Sequence, residues 1–373
     1  MKILVFELAC ANGEFETSIL YEGFEMLSMI ANGFIKAGCD VTVILNSDSF
    51  EKFKSRLEER NININIIEIQ NSDSDSKNLI QKIINIARIK NIDFVFPIAP
   101  DSDLVEIAGE LRLNNIKVIA SETHALEIAA DKWKTYEVFK RSKINTPKTR
   151  LFESEAINYP FIVKQRTGIA CENLFKINNE NEFKIFSDNL MNNLKINCKN
   201  NNNNCNNNCN NNFIIQEFVK GDNVSVTLFS DGKNAVLASL NKQNLKLSIE
   251  GSRYLGGIVP YEHPLKEDAF KLAKSAVESV SGLKGAVGVD LVLSDKPYVI
   301  EINPRVTTSM VALEKVSGLN IAKSALLAYN GELSEILSGI SKINFKKNKN
   351  IIEFSHIFDD GESLGIEFKE IKT

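Results

Sequence analysis

The sequence lacks a long apolar run and lacks an excess of basic residues. No stretch approaches the ~18 uninterrupted apolar residues of a membrane-spanning helix, and the charged Lys2 and Glu7 come too early for a typical signal peptide. The 44 Lys and Arg residues against 48 Asp and Glu residues leave a net charge of −4. No broad positive surface therefore suggests binding to nucleic acid or to an anionic membrane. We expect a cytoplasmic protein.

The six cysteines are scattered through a long chain that shows no secretory signal, so we do not expect a disulfide framework. Cys198, Cys205 and Cys209 lie in an asparagine-rich tract and could be read as three ligands of a metal ion. That tract contains no C-x-x-C pair and no nearby histidine, and low-complexity sequence is poorly suited to holding ligands in a fixed geometry. We therefore favour a solvated insertion over a metal site. The three histidines are isolated and are expected to be structural.

The first ~120 residues alternate apolar strands with amphipathic helices. Buried strands are predicted at Ile3–Leu8 and Val41–Leu45, and a further strand at Lys117–Ala120. Asp101 is expected to cap a helix that runs to Leu113. This alternation, with continuous apolar strands, indicates a parallel sheet that is covered on both faces. The turn after the first strand is not G-x-G-x-x-G, so a nicotinamide-dependent dehydrogenase is a weaker alternative.

From Ser121 onward the pattern changes. A helix is predicted from Ser121 to about Ser142, and a strand that ends in Lys164 follows it. The segment GAVGVDLVLSDKPYVIEINPR then predicts a β-hairpin whose loop is two or four residues long. This register places Asp290 across from Glu301, and side-chain alternation puts Asn303 on the same face as Glu301. The opposite face is expected to pack into the core through Val289, Leu291, Leu293, Ile300 and Ile302, with Leu291 facing Ile300.

The two opposed carboxylates suggest a divalent metal site. Like charges that face each other across a sheet are destabilising, and a cation between them reverses that effect. Asp290, Glu301 and Asn303 offer only oxygen ligands, which suit Mg²⁺ or Mn²⁺. The alternative is an exposed sheet face on which the two acids merely tolerate each other.

Asp290, followed by Glu301 in the run EINPR, resembles the metal-binding signature of the ATP-grasp ligases, and the resemblance extends from Ser121 to about Asn330. It implies an α/β chain with an amino-terminal parallel-sheet (pre-ATP-grasp) domain at 1–120 and a two-lobed α+β ATP-grasp domain at 121–330. The small lobe would span about 150–219, the catalytic lobe about 220–330, and a carboxyl-terminal tail 331–373. The expected cofactors are ATP and two Mg²⁺ or Mn²⁺ ions, with Asp290, Glu301 and Asn303 as the metal ligands.

The resemblance also assigns nucleotide-binding roles. Lys132 and Lys164 stand where the family has two lysines on the nucleotide phosphates, and lysine is a compact charge on a long stem. Gly168 lies in the phosphate-covering loop, where the family often has several glycines and this chain has one. The adenine hinge and the ribose contact are expected among Gln216, Glu217, Phe218, Val219, Asp222 and Asn223.

Arg305 and Arg253 are the expected catalytic residues. The guanidinium fork of Arg305 fits a carboxylate or a tetrahedral oxyanion, and the alternative for it is a salt bridge to a neighbouring acid. Arg253, read as part of a glycine-flanked loop, is a candidate to close onto the γ-phosphate.

The resemblance implies an ATP-dependent ligase that forms C–N bonds through an acyl phosphate. Three features narrow the resemblance: Arg253–Gly257, Glu301–Ser309 and the amino-terminal domain with its early Glu7. Together they most resemble archaeal enzymes of methanofuran biosynthesis that join L-glutamate to tyramine. The expected partners are ATP, L-glutamate and tyramine, and the sequence is compatible with a homodimer. The alternatives are an ATP-grasp ligase for a different carboxylate and amine, and a nucleotide-binding protein without catalysis.

Overall fold

The computed structural model describes residues 1–13, 17–60, 64–70, 76–152, 158–168, 173–189, 212–342, 350–359 and 362–372. Cys198, Cys205 and Cys209 lie outside these residues, so the hypothesis of a cysteine metal site is not tested. Cys10 and Cys39 are free thiols. Within the described ranges, no helix has the length and apolar character that crossing a bilayer requires.

The amino-terminal part is a four-stranded parallel sheet with strand order β3-β2-β1-β4. Apolar clusters cover both of its faces, which confirms the predicted parallel α/β arrangement. Lys117–Ala120 was expected to be a strand and is not, because only Val118 pairs, through an isolated bridge to Val95. The elements are β1 Lys2–Glu7, α1 Leu8–Asn12, α2 Thr17–Lys36, β2 Asp40–Asn46, α3 Ser47–Arg60, β3 Ile64–Ile69, α4 Ser76–Ile89, β4 Phe94–Ile98 and α5 Asp101–Leu113.

A small antiparallel sheet follows, with strand order β5-β8-β6-β7. The single helix predicted from Ser121 to Ser142 is wrong, because the chain forms two helices that break at Asp131. The Asp131 carboxylate accepts hydrogen bonds from the backbone N–H groups of Trp133 (2.9 Å) and Lys134 (3.3 Å), and so caps a new helix. The elements are α6 Thr123–Ala129, α7 Lys132–Arg141, β5 Thr149–Leu151, β6 Phe161–Gln165, β7 Leu174–Ile177, α8 at 180–189 and β8 Phe213–Glu217.

The largest sheet has seven antiparallel strands in the order β13-β12-β9-β10-β11-β14-β15. Its last two strands come from the region predicted as a tail, and β15 packs against α2 of the amino-terminal part. The domain boundaries themselves stay predictions. The elements are β9 Asp222–Asp231, β10 Ala235–Lys246, β11 Arg253–Val259, α9 Lys266–Glu278, β12 Lys284–Leu293, β13 Pro297–Asn303, α10 Thr308–Ser317, α11 Ile321–Tyr329, α12 Leu333–Lys342, β14 Asn350–Asp359 and β15 Glu362–Lys372.

The hairpin β12–β13 pairs Asp290 with Glu301, as predicted, but its register shifts toward the turn. Leu291 pairs with Val299, so the predicted pairing of Leu291 with Ile300 is wrong. Ile300 is the extra residue of a β-bulge, which reverses the alternation of side chains between the two faces. Val299 therefore joins the core, whereas Ile300 lines a cavity beside the opposed carboxylates.

Candidate active site

A cavity of about 210 Å³ takes its walls from all three sheets and from the helices that flank them. The amino-terminal part contributes the ends of β1 and β4 and one face of α2, and the small sheet contributes β6 and the residues after it. Several residues that the sequence predicted to act together are brought to this cavity: Lys132, Lys164, Gly168, Asn223, Asp290, Glu301, Asn303 and Arg305.

Asp290 and Glu301 form the acidic centre of the cavity. Asn303 Nδ2 donates to Asp290 Oδ2 at 3.1 Å, and Gln243 Nε2 donates to Asp290 Oδ1 at 3.0 Å. Burial, together with the neighbouring Glu301 carboxylate, raises the pKa of Asp290 to about 7. Two partly buried carboxylates placed side by side repel each other, and nearby positive charge would relieve that repulsion.

This donor set fits a divalent cation. Asp290, Glu301 and Asn303 present hard oxygen atoms on one face of the hairpin, the type of ligand that Mg²⁺ and Mn²⁺ prefer. In the described ranges no group of three or more His, Cys, Asp or Glu side chains could hold a metal ion. The amide of Asn303 and oxygen atoms from substrate or water would therefore have to complete the coordination shell.

Two lysines face Glu301 from other elements. Lys132 Nζ, at the start of α7, lies 3.6 Å from Glu301 Oε2, and Lys164 Nζ, on β6, lies 4.0 Å from the same atom. Burial opposes the ionisation of Glu301, but the charges of Lys132, Lys164 and Arg305 lower its pKa. Lys164 is almost fully buried, so its charge acts in a setting where solvent screens it weakly. The cavity thus places two ammonium groups beside the carboxylate pair.

Local contacts hold the first of these lysines in position. Lys132 Nζ donates to the backbone oxygen of Gly168 at 2.9 Å, and the Lys132 backbone N–H donates to the oxygen of Arg166 at 2.9 Å. Arg166 in turn forms an ion pair with Asp131, with its Nε 3.1 Å from Asp131 Oδ1. The capping carboxylate of α7 therefore also ties the helix to the end of β6.

Arg305 reaches the cavity through an ion pair with the amino-terminal part. Its Nε donates to Asp101 Oδ1 at 2.7 Å, and both side chains are largely buried. The prediction that Asp101 caps α5 is wrong, because Pro100 occupies the cap position and Asp101 is the first residue of the helix, with its carboxylate turned to Arg305. Burial raises the pKa of Asp101, although the Arg305 guanidinium opposes that rise. The salt bridge that was the alternative for Arg305 is thus present, and its guanidinium still lines the cavity.

Other predicted residues are not brought to the cavity wall. Gln216 is buried and donates to Thr149 Oγ1 at 2.9 Å, which links β8 to β5. Asp222 accepts a hydrogen bond from Tyr261 Oη at 2.9 Å. Arg253 begins a strand rather than lying in a loop, and it is exposed, whereas the next residue, Tyr254, lines the cavity. The roles of Gln216, Glu217, Phe218, Val219, Asp222 and Arg253 stay predictions.

Sequence reasoning missed several polar groups of this cavity. Glu22 lies on α2 and accepts a hydrogen bond from Thr308 Oγ1, and Gln243 holds Asp290 from β10. An acid on an amphipathic helix and a glutamine on a strand carry no local sequence signal that would mark them as residues of a functional site. Asp101 did carry a local signal, because it lies three residues after the end of β4 and the carboxyl ends of parallel strands are frequent ligand sites.

Comparison with known proteins identifies the family. Residues 129–309 match the family model described as the ATP-grasp domain, and this range contains both lysines, the opposed carboxylates and Arg305. The chain belongs to the ATP-grasp family, whose enzymes use ATP and divalent metal ions. The predicted family, the fold class and the prediction of an ATP-dependent ligase that forms carbon–nitrogen bonds are confirmed.

The chain is similar to particular members of that family. It is 30% identical over 349 residues to tyramine–L-glutamate ligase of Methanocaldococcus fervens, an alignment that covers 93% of this chain and 100% of that relative. It is 28% identical over 339 residues to tyramine–L-glutamate ligase of Methanocaldococcus jannaschii, covering 90% of each chain. Its fold resembles the crystal structure of L-amino acid ligase from Bacillus licheniformis, with a TM-score of 0.68, 17% identity and coverage of 97% of this chain and 81% of that one.

Proposed function

We propose that this enzyme joins the γ-carboxylate of L-glutamate to the amine of tyramine in methanofuran biosynthesis. The products would be γ-glutamyltyramine, ADP and phosphate. The carboxylate attacks the γ-phosphorus of ATP and releases ADP, and the resulting acyl phosphate is captured by the amine with loss of phosphate. The similarity to two tyramine–L-glutamate ligases over at least 90% of the chain supports this choice of substrates.

The observation that carries the proposal is the meeting of Lys132, Lys164 and Arg305 with Asp290 and Glu301 in one cavity. In phosphoryl transfer, negative charge spreads over the transferred group and the leaving oxygen, so fixed cations nearby lower the barrier. The two lysines would bind and orient the triphosphate, with Gly168 at its edge. Arg305, held by an acid of the amino-terminal part, would bind the carboxylate substrate or the oxyanion that forms from it.

Asp290, Glu301 and Asn303 would hold the divalent ions, which we propose to be two Mg²⁺ or Mn²⁺. Such ions neutralise the phosphate charge when they are bound. Lys132 and Lys164 would move from Glu301 toward phosphate oxygens once nucleotide enters. The proposed adenine and ribose contacts are Gln216, Glu217, Phe218, Val219, Asp222 and Asn223, and Arg253 is proposed to act when the site closes over the γ-phosphate.

The test is product analysis of the purified protein with ATP, L-glutamate, tyramine and either Mg²⁺ or Mn²⁺. We expect ADP and an amide in equal amounts, and fragmentation of the amide in a mass spectrometer distinguishes the γ linkage from the α linkage. Glu301→Gln should lower turnover by about 100-fold or more, because it removes one of the proposed metal ligands. The matched control is Glu262→Gln, which changes an exposed carboxylate that pairs with Lys266 on the surface and should leave turnover unchanged.

The same assay separates the alternatives. An amide formed only with a different acid or amine, found by following ADP release across a panel of substrates, would show another ATP-grasp ligase. Nucleotide binding without ADP release across that panel would favour a non-catalytic role. A homodimer and a cytoplasmic location stay predictions, which gel filtration with light scattering and cell fractionation would test.

A further inference from the structure

Two acids of the amino-terminal part line the end of the cavity contributed by α2. Glu7 ends β1 and is only 4% exposed, and Glu22 lies on α2. Burial, with a further contribution from the Glu22 charge, raises the pKa of Glu7 to about 7. Glu22 is held by the hydroxyl of Thr308, the first residue of α10. The nucleotide role proposed above uses neither acid.

The fold makes room for the Glu7 carboxylate. Its Oε2 accepts a hydrogen bond from the backbone N–H of Cys10 at 2.9 Å, which caps α1. Gly23 packs directly against it, and a Cβ at that position would lie 2.3 Å from the same oxygen atom. A side chain at position 23 would displace the Glu7 carboxylate, so the position of this carboxylate depends on the glycine.

Apolar side chains border the two acids. Ile19, Glu22 and Met26 are three and seven residues apart along α2, so they lie on one face of the helix, and all three line the cavity. Ile98, at the end of β4, lines the same cavity. This end of the cavity therefore combines an apolar wall with two acids, whereas at the ATP-grasp end Lys132 and Lys164 are paired with the Glu301 carboxylate.

From the two acids and the apolar wall beside them we propose that Glu7 and Glu22 bind the ammonium group of an arylalkylamine substrate while the apolar residues of α2 and β4 contact its ring. The inference rests on the proposed ligase function and assigns its amine subsite. L-Glutamate also carries one ammonium group, but the two acids would repel its two carboxylates, and it has no apolar ring to contact the apolar wall. Tyramine carries one ammonium group, joined by a two-carbon chain to a phenol ring whose faces are apolar. The subsite would thus hold the amine so that it faces the ATP-grasp end of the cavity, where the carboxylate substrate is activated.

The experiment measures KM for tyramine, L-glutamate and ATP in Glu22→Gln and Glu7→Gln. Loss of one buried charge partner should raise KM for tyramine about tenfold or more and should leave KM for ATP within about twofold. The matched control is Glu25→Gln, which removes the same charge from the same helix at a residue that pairs with Lys315 outside the cavity. For this control, KM for tyramine should stay within about twofold of wild type.

A second measurement tests how the positive charge of the amine affects its binding, and it does not require turnover. Tyramine and its neutral alcohol analogue, 4-(2-hydroxyethyl)phenol, are titrated calorimetrically into the enzyme. Wild type should prefer tyramine by about tenfold or more, and Glu22→Gln should lose that preference while binding the alcohol normally, which also demonstrates that the variant is folded.

The outcomes separate this subsite from the proposed function. Product formation with unchanged tyramine KM in both variants would overturn the subsite and leave the ligase standing. Absence of any glutamyl amide, together with charge-dependent binding of tyramine that needs Glu22, would overturn the reaction and leave the subsite standing. Equal binding of tyramine and its alcohol by wild type would also overturn the subsite.

Discussion

Glu7→Gln should make the substrate-free protein more stable at alkaline pH. The Glu7 carboxyl is buried, and its pKa rises from the ordinary 4.5 to about 7 in the folded protein. Between these values the folded protein keeps a proton that the unfolded chain has released, so folding stability falls as pH rises through this window. Glutamine carries no charge at any pH in this range, and its side-chain oxygen can still accept the hydrogen bond from Cys10.

The size of the effect follows from the same pKa difference. A rise of the pKa from 4.5 to about 7 corresponds to about 3 kcal/mol of lost stability once the carboxylate is ionised in both states. Because part of this loss is already present at pH 5, the stability of Glu7→Gln relative to wild type should increase by about 2.5 kcal/mol between pH 5 and pH 8.

The assay is urea denaturation at pH 5 and pH 8, without nucleotide, amine or divalent ions, so that no ligand stabilises the folded state. Asp290 has a raised pKa in both proteins and cancels in the comparison. The control is Glu58→Gln at an exposed position of α3, which should change stability by no more than about 0.5 kcal/mol at either pH. A difference between Glu7→Gln and wild type that does not change with pH, or a variant less stable than wild type at pH 8, would refute the reasoning.

Three further predictions concern the supports of the site. Gly23→Ala should lower the free energy of unfolding by about 1–3 kcal/mol in urea denaturation, because the added Cβ meets the buried Glu7 carboxylate. The control is Gly109→Ala in α5, where a Cβ would have nothing within 4 Å; the better helix propensity of alanine should raise the free energy of unfolding there by up to about 1 kcal/mol. Asp101→Asn should lower kcat about 10- to 100-fold with KM for ATP nearly unchanged, since it loosens Arg305; an unchanged kcat in steady-state assays would contradict this role. Asp131→Ala should cost about 1–2 kcal/mol through the lost cap of α7 and should raise KM for ATP; equal melting temperatures would count against it.

Features of the site that depend on one strand pair were predictable from the sequence. The alternation of side chains along a strand is enough to bring Asp290, Glu301 and Asn303 to one face. The bulge at Ile300 was not predictable in this way, because the packing of neighbouring elements, as well as the turn, determines where a strand accommodates an extra residue.

Side chains that act across the fold were harder to predict. Asp101 has the local pattern of a helix cap, and its actual partner, Arg305, follows a strand of another sheet. Such a contact depends on how the elements pack, about which local sequence carries little information. The break at Asp131 is different, since an aspartate inside a helical pattern is a recognisable capping signal that could have divided the predicted helix.

The packing of β15 against α2 has a consequence for how the protein is made. Ile366 and Phe368 pack into the same apolar cluster as Phe24 and Leu27 of α2. A ribosome delivers α2 early and β15 late, so the nascent helix stays partly uncovered through most of translation. Contacts between segments so distant along the chain form slowly. We therefore expect the helix that carries Glu22 to become rigid only after β15 has emerged, so that the enzyme gains activity after synthesis rather than during it.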